Sequence, residues 1–159
     1  MSNSHPKSHV RKIHDKPVSL AHAMLAMSLI TAASCWSPAF AVPQDTPTRI
    51  DGVKAVCTGV GESKDNPRWS AYPLRLVFAD KRGQYTAGEK IDISENGRTV
   101  IQARCDAPWL LLKPASGDYR VTATLSGPNG ERQASADFSA RSSGPQKTVT
   151  LAFPVARAS

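Results

Sequence analysis

Beyond position 41 the chain has no histidine and no methionine; His5, His9, His14, His22 and all three methionines lie before Val42. Without histidine, the Ser-His and Cys-His nucleophile systems lose their base, and the commonest general acid–base side chain is missing. Only Cys57 and Cys105 remain past that point, so a structural zinc site lacks ligands. Aromatic residues make up 6% of the chain and form no ladder, and no basic run accompanies them. Nothing in this pattern marks a nucleic-acid surface. No apolar stretch reaches the roughly 20 residues of a membrane-spanning helix.

The first residues read as an address. Lys7, Arg11, Lys12 and Lys16 precede an apolar run from Leu20 to Ala33, and Ala39-Phe40-Ala41 follows Pro38. A basic region, a short apolar core and a small-x-small ending form an export signal, with cleavage expected between Ala41 and Val42. Two alternatives stay open. One is an uncleaved anchor. The other is lipidation at Cys35, against which Ala32 stands where a lipobox prefers Leu, Val or Ile. Cleavage after Ala41 leaves sixteen Lys and Arg against twelve Asp and Glu, a net charge of +4 spread along the chain. It also leaves an even pair of cysteines, and an even pair in an exported chain predicts a Cys57–Cys105 disulfide. The expected division is a signal peptide over 1–41, an extended N-terminal arm over 42–52 and one domain over 53–155. The expected location is the periplasm or the exterior, with no transmembrane span once the signal is removed.

From Val53 onward the apolar period is two. "LRLVFA" (74–79) places Leu74, Leu76 and Phe78 on one face, and "KIDIS" (90–94) does the same with Ile91 and Ile93. Asn96-Gly97 separates that run from "TVIQARC" (99–105), a strong hairpin signal because both residues tolerate positive φ. Further strands are expected over 54–60, 109–113, 119–127, 131–140 and 148–153, with at most a short helix near 62–71. Seven or eight short strands with close turns predict an all-β sandwich or barrel.

"GVGESK" (59–64) has the look of a phosphate loop. A P-loop requires Gly-Lys-Ser/Thr opening a helix; here Ser63 precedes Lys64, and Asn66-Pro67 follows. The stretch predicts no nucleotide and no cofactor; its glycines are expected to end a strand in a turn. Glu62, Asp65, Asp80 and Glu89 lie in polar surroundings and are expected to be solvated, so no catalytic residue is assigned. Trp109 reads as core or as an exposed aromatic. Trp69 and Tyr72 carry the same ambiguity, leaning toward exposure. Loops on a rigid scaffold carry most binding surfaces, so Glu62, Arg68, Trp69 and Tyr72 form the candidate partner surface.

Four stretches carry a family resemblance: "GVGES", "YPLRLVFADKRGQYTAGEKIDI", "DAPWLLL" and "PASGDYRVTATLSG". The most specific parts are Tyr72 to Phe78 with Gly83 and Tyr85, then Pro108-Trp109 ahead of Gly117 to Val121. Over roughly 57–153 the chain resembles the small exported carboxypeptidase-regulatory-like proteins of bacteria. The resemblance implies a transthyretin-like, seven-stranded Greek-key sandwich in which the Gly-x-Tyr stretch enters a strand after a tight turn. It implies no catalytic residue, since in the larger carboxypeptidases this module carries none. The expected role is a non-catalytic binding or accessory module of the cell envelope, its partner an unidentified envelope protein or glycan. The alternatives are a small inhibitor or envelope-stress protein that blocks a partner with a loop, and a hydrolase with an unrecognised site.

The export reading predicts that chain recovered after secretion begins at Val42. N-terminal sequencing or intact mass checks this, and a first residue of Met1 or a lipidated Cys35 contradicts it.

Overall fold

A computed structural model describes residues 39–128 and 130–155. The expected signal, with Cys35, lies outside the described residues except for Ala39 to Ala41. Ten strands form: β1 (Phe40–Val42), β2 (Thr48–Ile50), β3 (Val53–Thr58), β4 (Leu74–Asp80), β5 (Glu89–Glu95), β6 (Arg98–Cys105), β7 (Trp109–Lys113), β8 (Gly117–Gly127), β9 (Gly130–Ala140) and β10 (Lys147–Phe153). They build two five-stranded sheets. The first runs β1-β6-β5-β8-β9 and the second β10-β4-β7-β3-β2. Both are mixed, with β1 parallel to β6 and β10 parallel to β4.

The count of ten corrects the expected seven. Of the two strands beyond the eight legible segments, β2 comes from the arm, and β1 straddles the end of the expected signal and the first residue of the arm, Val42. β1 and β2 have three residues each, too short for a period-two pattern to register. Each holds one anchor: Val42 and Ile50 are buried in the main core. The bond between Ala41 and Val42 lies inside β1, where Ala41 pairs with Arg104 and Val42 with Cys105.

The period-two pattern explains the sandwich. Leu74, Leu76, Phe78, Ile91, Ile93, Ile101, Leu110, Leu112, Leu151 and Phe153 all face the space between the sheets and are almost fully buried. Each such side chain contributes about 1.5–3 kcal/mol over its exposed state. The β5–β6 hairpin turns on Asn96 (φ 51°) and Gly97 (φ 75°), between the paired Glu95 and Arg98. Two left-handed residues in sequence match the twist of the flanking strands. The Gly-x-Tyr stretch departs from its expectation. Asp80 Oδ1 accepts from the backbone N–H of Arg82 and Gln84 to close the turn, and Tyr85 makes a single bridge to Ala79. The strand proper begins four residues later, at Glu89.

Cys57 and Cys105 are disulfide-bonded and fully buried. They join β3 of one sheet to β6 of the other. The bond closes a loop with a sequence separation of 48, for which chain entropy gives about 4 kcal/mol of stabilisation. We predict a mass gain of about two hydrogens on reduction. Replacing both cysteines by serine should lower the unfolding free energy by several kcal/mol, on the order of 2–5, with the strand spectrum kept. Full alkylation of the native chain without reductant would contradict the bond.

Candidate binding face

On β3 and β7, Val56 pairs with Leu111 and both turn away from the main core, onto the outer face of the second sheet. Two short 3₁₀ turns, Gly61–Asp65 and Pro67–Ala71, cross this face and cover the pair with Trp69 and Tyr72. Local chemistry sets the second turn. Pro67 occupies its first position, and the Asn66 side chain accepts from the backbone N–H of Arg68. Trp69 Nε1 then donates to the Ser63 carbonyl at 2.6 Å. From the other end of the chain, Gln146 Nε2 donates to the carbonyls of Trp69 and Tyr72 at 2.9 and 3.0 Å.

This geometry corrects the reading of the loop aromatics. Trp69 is 4% exposed and Tyr72 8%, so neither stands free as an anchor. The reason is the apolar pair beneath them: Val56 and Leu111 would face water without the indole and the phenol above. Burial pushes the Tyr72 hydroxyl pKa up, against the opposing charge of Arg68. Of the four loop residues expected at a partner surface, Glu62 and Arg68 remain exposed. Arg68 is also structural; its guanidinium lies 4.1 Å from the Trp69 ring centroid and donates to the Asp45 carbonyl.

Further along the same face lies a second arginine–tryptophan stack. Trp109 pairs with Thr58 and Val77, and the Arg75 guanidinium lies 4.9 Å from its ring centroid. Tyr85 meets the indole edge-on at 6.3 Å and is 60% exposed. Here "GVG" acquires its reason. Gly59 has φ +103°, and a Cβ there would lie 2.7 Å from the Trp109 ring. Its missing side chain lets the indole lie against the backbone at the strand end. Trp109 itself is half-buried, with its Nε1 buried and without a hydrogen-bond partner among the described residues. Tyr85, Arg75 and Trp109 were not assigned to a site from the sequence. The tight turn before Tyr85 was the only hint of its exposure.

The expectation of a solvated Glu89 is also corrected. Glu89 shares strand parity with Ile91 and Ile93, points between the sheets and is fully buried. Neither carboxylate oxygen has a hydrogen-bond partner among the described residues, and the buried Thr86 hydroxyl beside it is unpartnered too. Burial drives the carboxyl pKa above its ordinary value. The charge of Asp106 adds to the rise and that of Arg132 opposes it. The folded state therefore prefers neutral Glu89. Stability is fully present below the ordinary carboxylate value and is lost as pH rises through the raised one.

Another groove lies elsewhere. It is open, about 740 Å³, and is bordered by Asn96, Arg120, Asp137 and Ser139 of the first sheet. Arg120 and Asp137 are engaged with each other, while Lys147, also on its border, donates to the Ser139 carbonyl. Arg120 grips both oxygens of Asp137 at 2.7 and 2.8 Å and holds that carboxyl below its ordinary pKa.

The buried acid generates a prediction. Wild-type stability should decline as pH rises from the ordinary carboxylate range through the raised pKa of Glu89, and Glu89→Gln should remove part of that decline and be the more stable form above it, by on the order of 1 kcal/mol. Denaturant midpoints across that range test it; parallel profiles for the two chains would refute it. The chain matches no family model, no curated protein and no solved structure.

Proposed function

We propose that this chain is an exported, non-catalytic β-sandwich of transthyretin-like type. It acts as a binding or accessory module of the bacterial cell envelope, through the outer face of its second sheet. The family part of the reading rests on the stretches around Tyr72 to Tyr85 and Pro108 to Val121. The export part rests on the N-terminal address. A buried disulfide is compatible with an oxidising compartment, and no helix among the described residues is long and apolar enough to cross a membrane.

One observation carries the binding role: exposed Tyr85 stands edge-on to Trp109 while Arg75 stacks on the same indole. Tyrosine, tryptophan and arginine dominate interface hot spots. Here Trp109 and Arg75 are held on paired strands, and Tyr85 is bridged to Ala79 beside them. A loop-insertion inhibitor fits less well. The Gly61–Tyr72 segment turns its aromatic side chains inward and is tied at Ser63, Asn66 and Gln146.

The test is capture of envelope components by the exported chain. Tyr85→Ala should weaken binding of the captured partner by about 2 kcal/mol, roughly thirtyfold, at an unchanged melting temperature. Asp137→Ala, on the opposite sheet, should bind as wild type. Equal binding by the Tyr85 variant and the wild type would reject this face.

A further inference from the structure

The outer faces of the two sheets differ in how their charges are compensated. On the first, Arg120 pairs with Asp137, Lys90 with Asp92, and Arg104 with Asp106 just past the end of β6. Asp92 also accepts from Gln102, and Asp118 from Ser139. The second sheet is different. Its outward strand positions carry Arg49 on β2, Lys54 on β3, Lys113 on β7 and Arg75 on β4, and no carboxylate. None of these four cations forms an ion pair among the described residues.

Three of them stand in one row. Arg49 is the cross-strand partner of Lys54, and Lys54 is the partner of Lys113. Like charges directly opposite each other are destabilising, and at the strand spacing the row spans about 10 Å. All three are exposed. Arg49 donates to the Gly52 carbonyl, a contact that leaves its charge uncompensated. The net charge, dispersed along the sequence, is thus concentrated on the face that also bears Trp109 and Tyr85.

We propose that the row Arg49–Lys54–Lys113 is the anion-binding strip of a site for an acidic polysaccharide. This inference rests on the reading of the second sheet as the binding face and names the class of ligand. Charge complementarity selects the anion. The row crosses three strands, so its ligand lies over the face. An extended peptide could pair only along the free edge of β2, parallel to the strands, and would meet the row at Arg49 alone. A sugar chain has no backbone hydrogen bonds to satisfy and can lie across the strands along the row. A lipid bilayer is disfavoured because the two turns over Val56 and Leu111 would meet a flat surface first.

The probe is alginate, a polyuronate, with neutral dextran and poly-glutamate as comparisons, each titrated against the exported chain. Alginate should bind and dextran should not. Arg49→Gln/Lys54→Gln/Lys113→Gln should weaken alginate binding at least tenfold. Its melting temperature should be equal or higher, because the opposed charges are gone. Bound alginate should protect Lys54 and Lys113 from acetylation and leave Lys90, on the first sheet, reactive. Absent alginate binding, unchanged affinity in the triple variant, or equal protection of Lys90 would overturn the strip. Poly-glutamate binding as tight as alginate, or binding only to anionic phosphatidylglycerol vesicles, would overturn the sugar assignment. Capture by the Tyr85 surface is measured separately, so either reading can fail alone.

Discussion

Cys57 and Cys105 act as the common anchor for one end of the sandwich, through their backbones as much as their sulfurs. The bond ties one sheet to the other. The Cys57 carbonyl accepts from the N–H of Asp45, and the Cys105 carbonyl accepts from the N–H of Gly88. Val42 and Glu89 flank Cys105 on neighbouring strands, and Leu110 flanks Cys57. The arm, the loop before β5 and the central strands of both sheets are therefore positioned from this pair. The arm takes part in the fold because β2 extends one sheet and Val42 and Ile50 enter the core.

The same interior accommodates an unpaired acid. Glu89 sits beside this anchor because its strand parity is that of Ile91 and Ile93. A buried carboxyl without a partner is expensive when charged, and the neutral form is the compatible one.

Much of the fold was legible from local pattern. Alternation marked the inner faces of β4, β5, β8 and β10, Asn96-Gly97 marked the hairpin, and cysteine parity marked the disulfide. The missed strands are three residues long, and the alternation test has no reach at that length. In the sequence Trp69 and Tyr72 are ambiguous and lean toward exposure, because they sit in a polar loop. Their burial depends on Val56 and Leu111, brought beside each other by β3–β7 register. Glu89 was read as solvated from its neighbours Gly88 and Lys90, although its parity with Ile91 and Ile93 was already visible.

The sequence by itself determined which side chains face inward, where the chain reverses and which cysteines can pair. These follow from a two-residue period, from backbone freedom at particular positions and from composition. Only the tertiary structure decided that Trp69 covers the sheet, that Tyr85 stands free against Trp109, and that Arg49, Lys54 and Lys113 form one row. Such neighbours are set by strand order and register, which bring residues far apart in the chain within about 5 Å of each other across a sheet. No local pattern contains that information, because it is the packing of the whole interior that selects one pairing of strands.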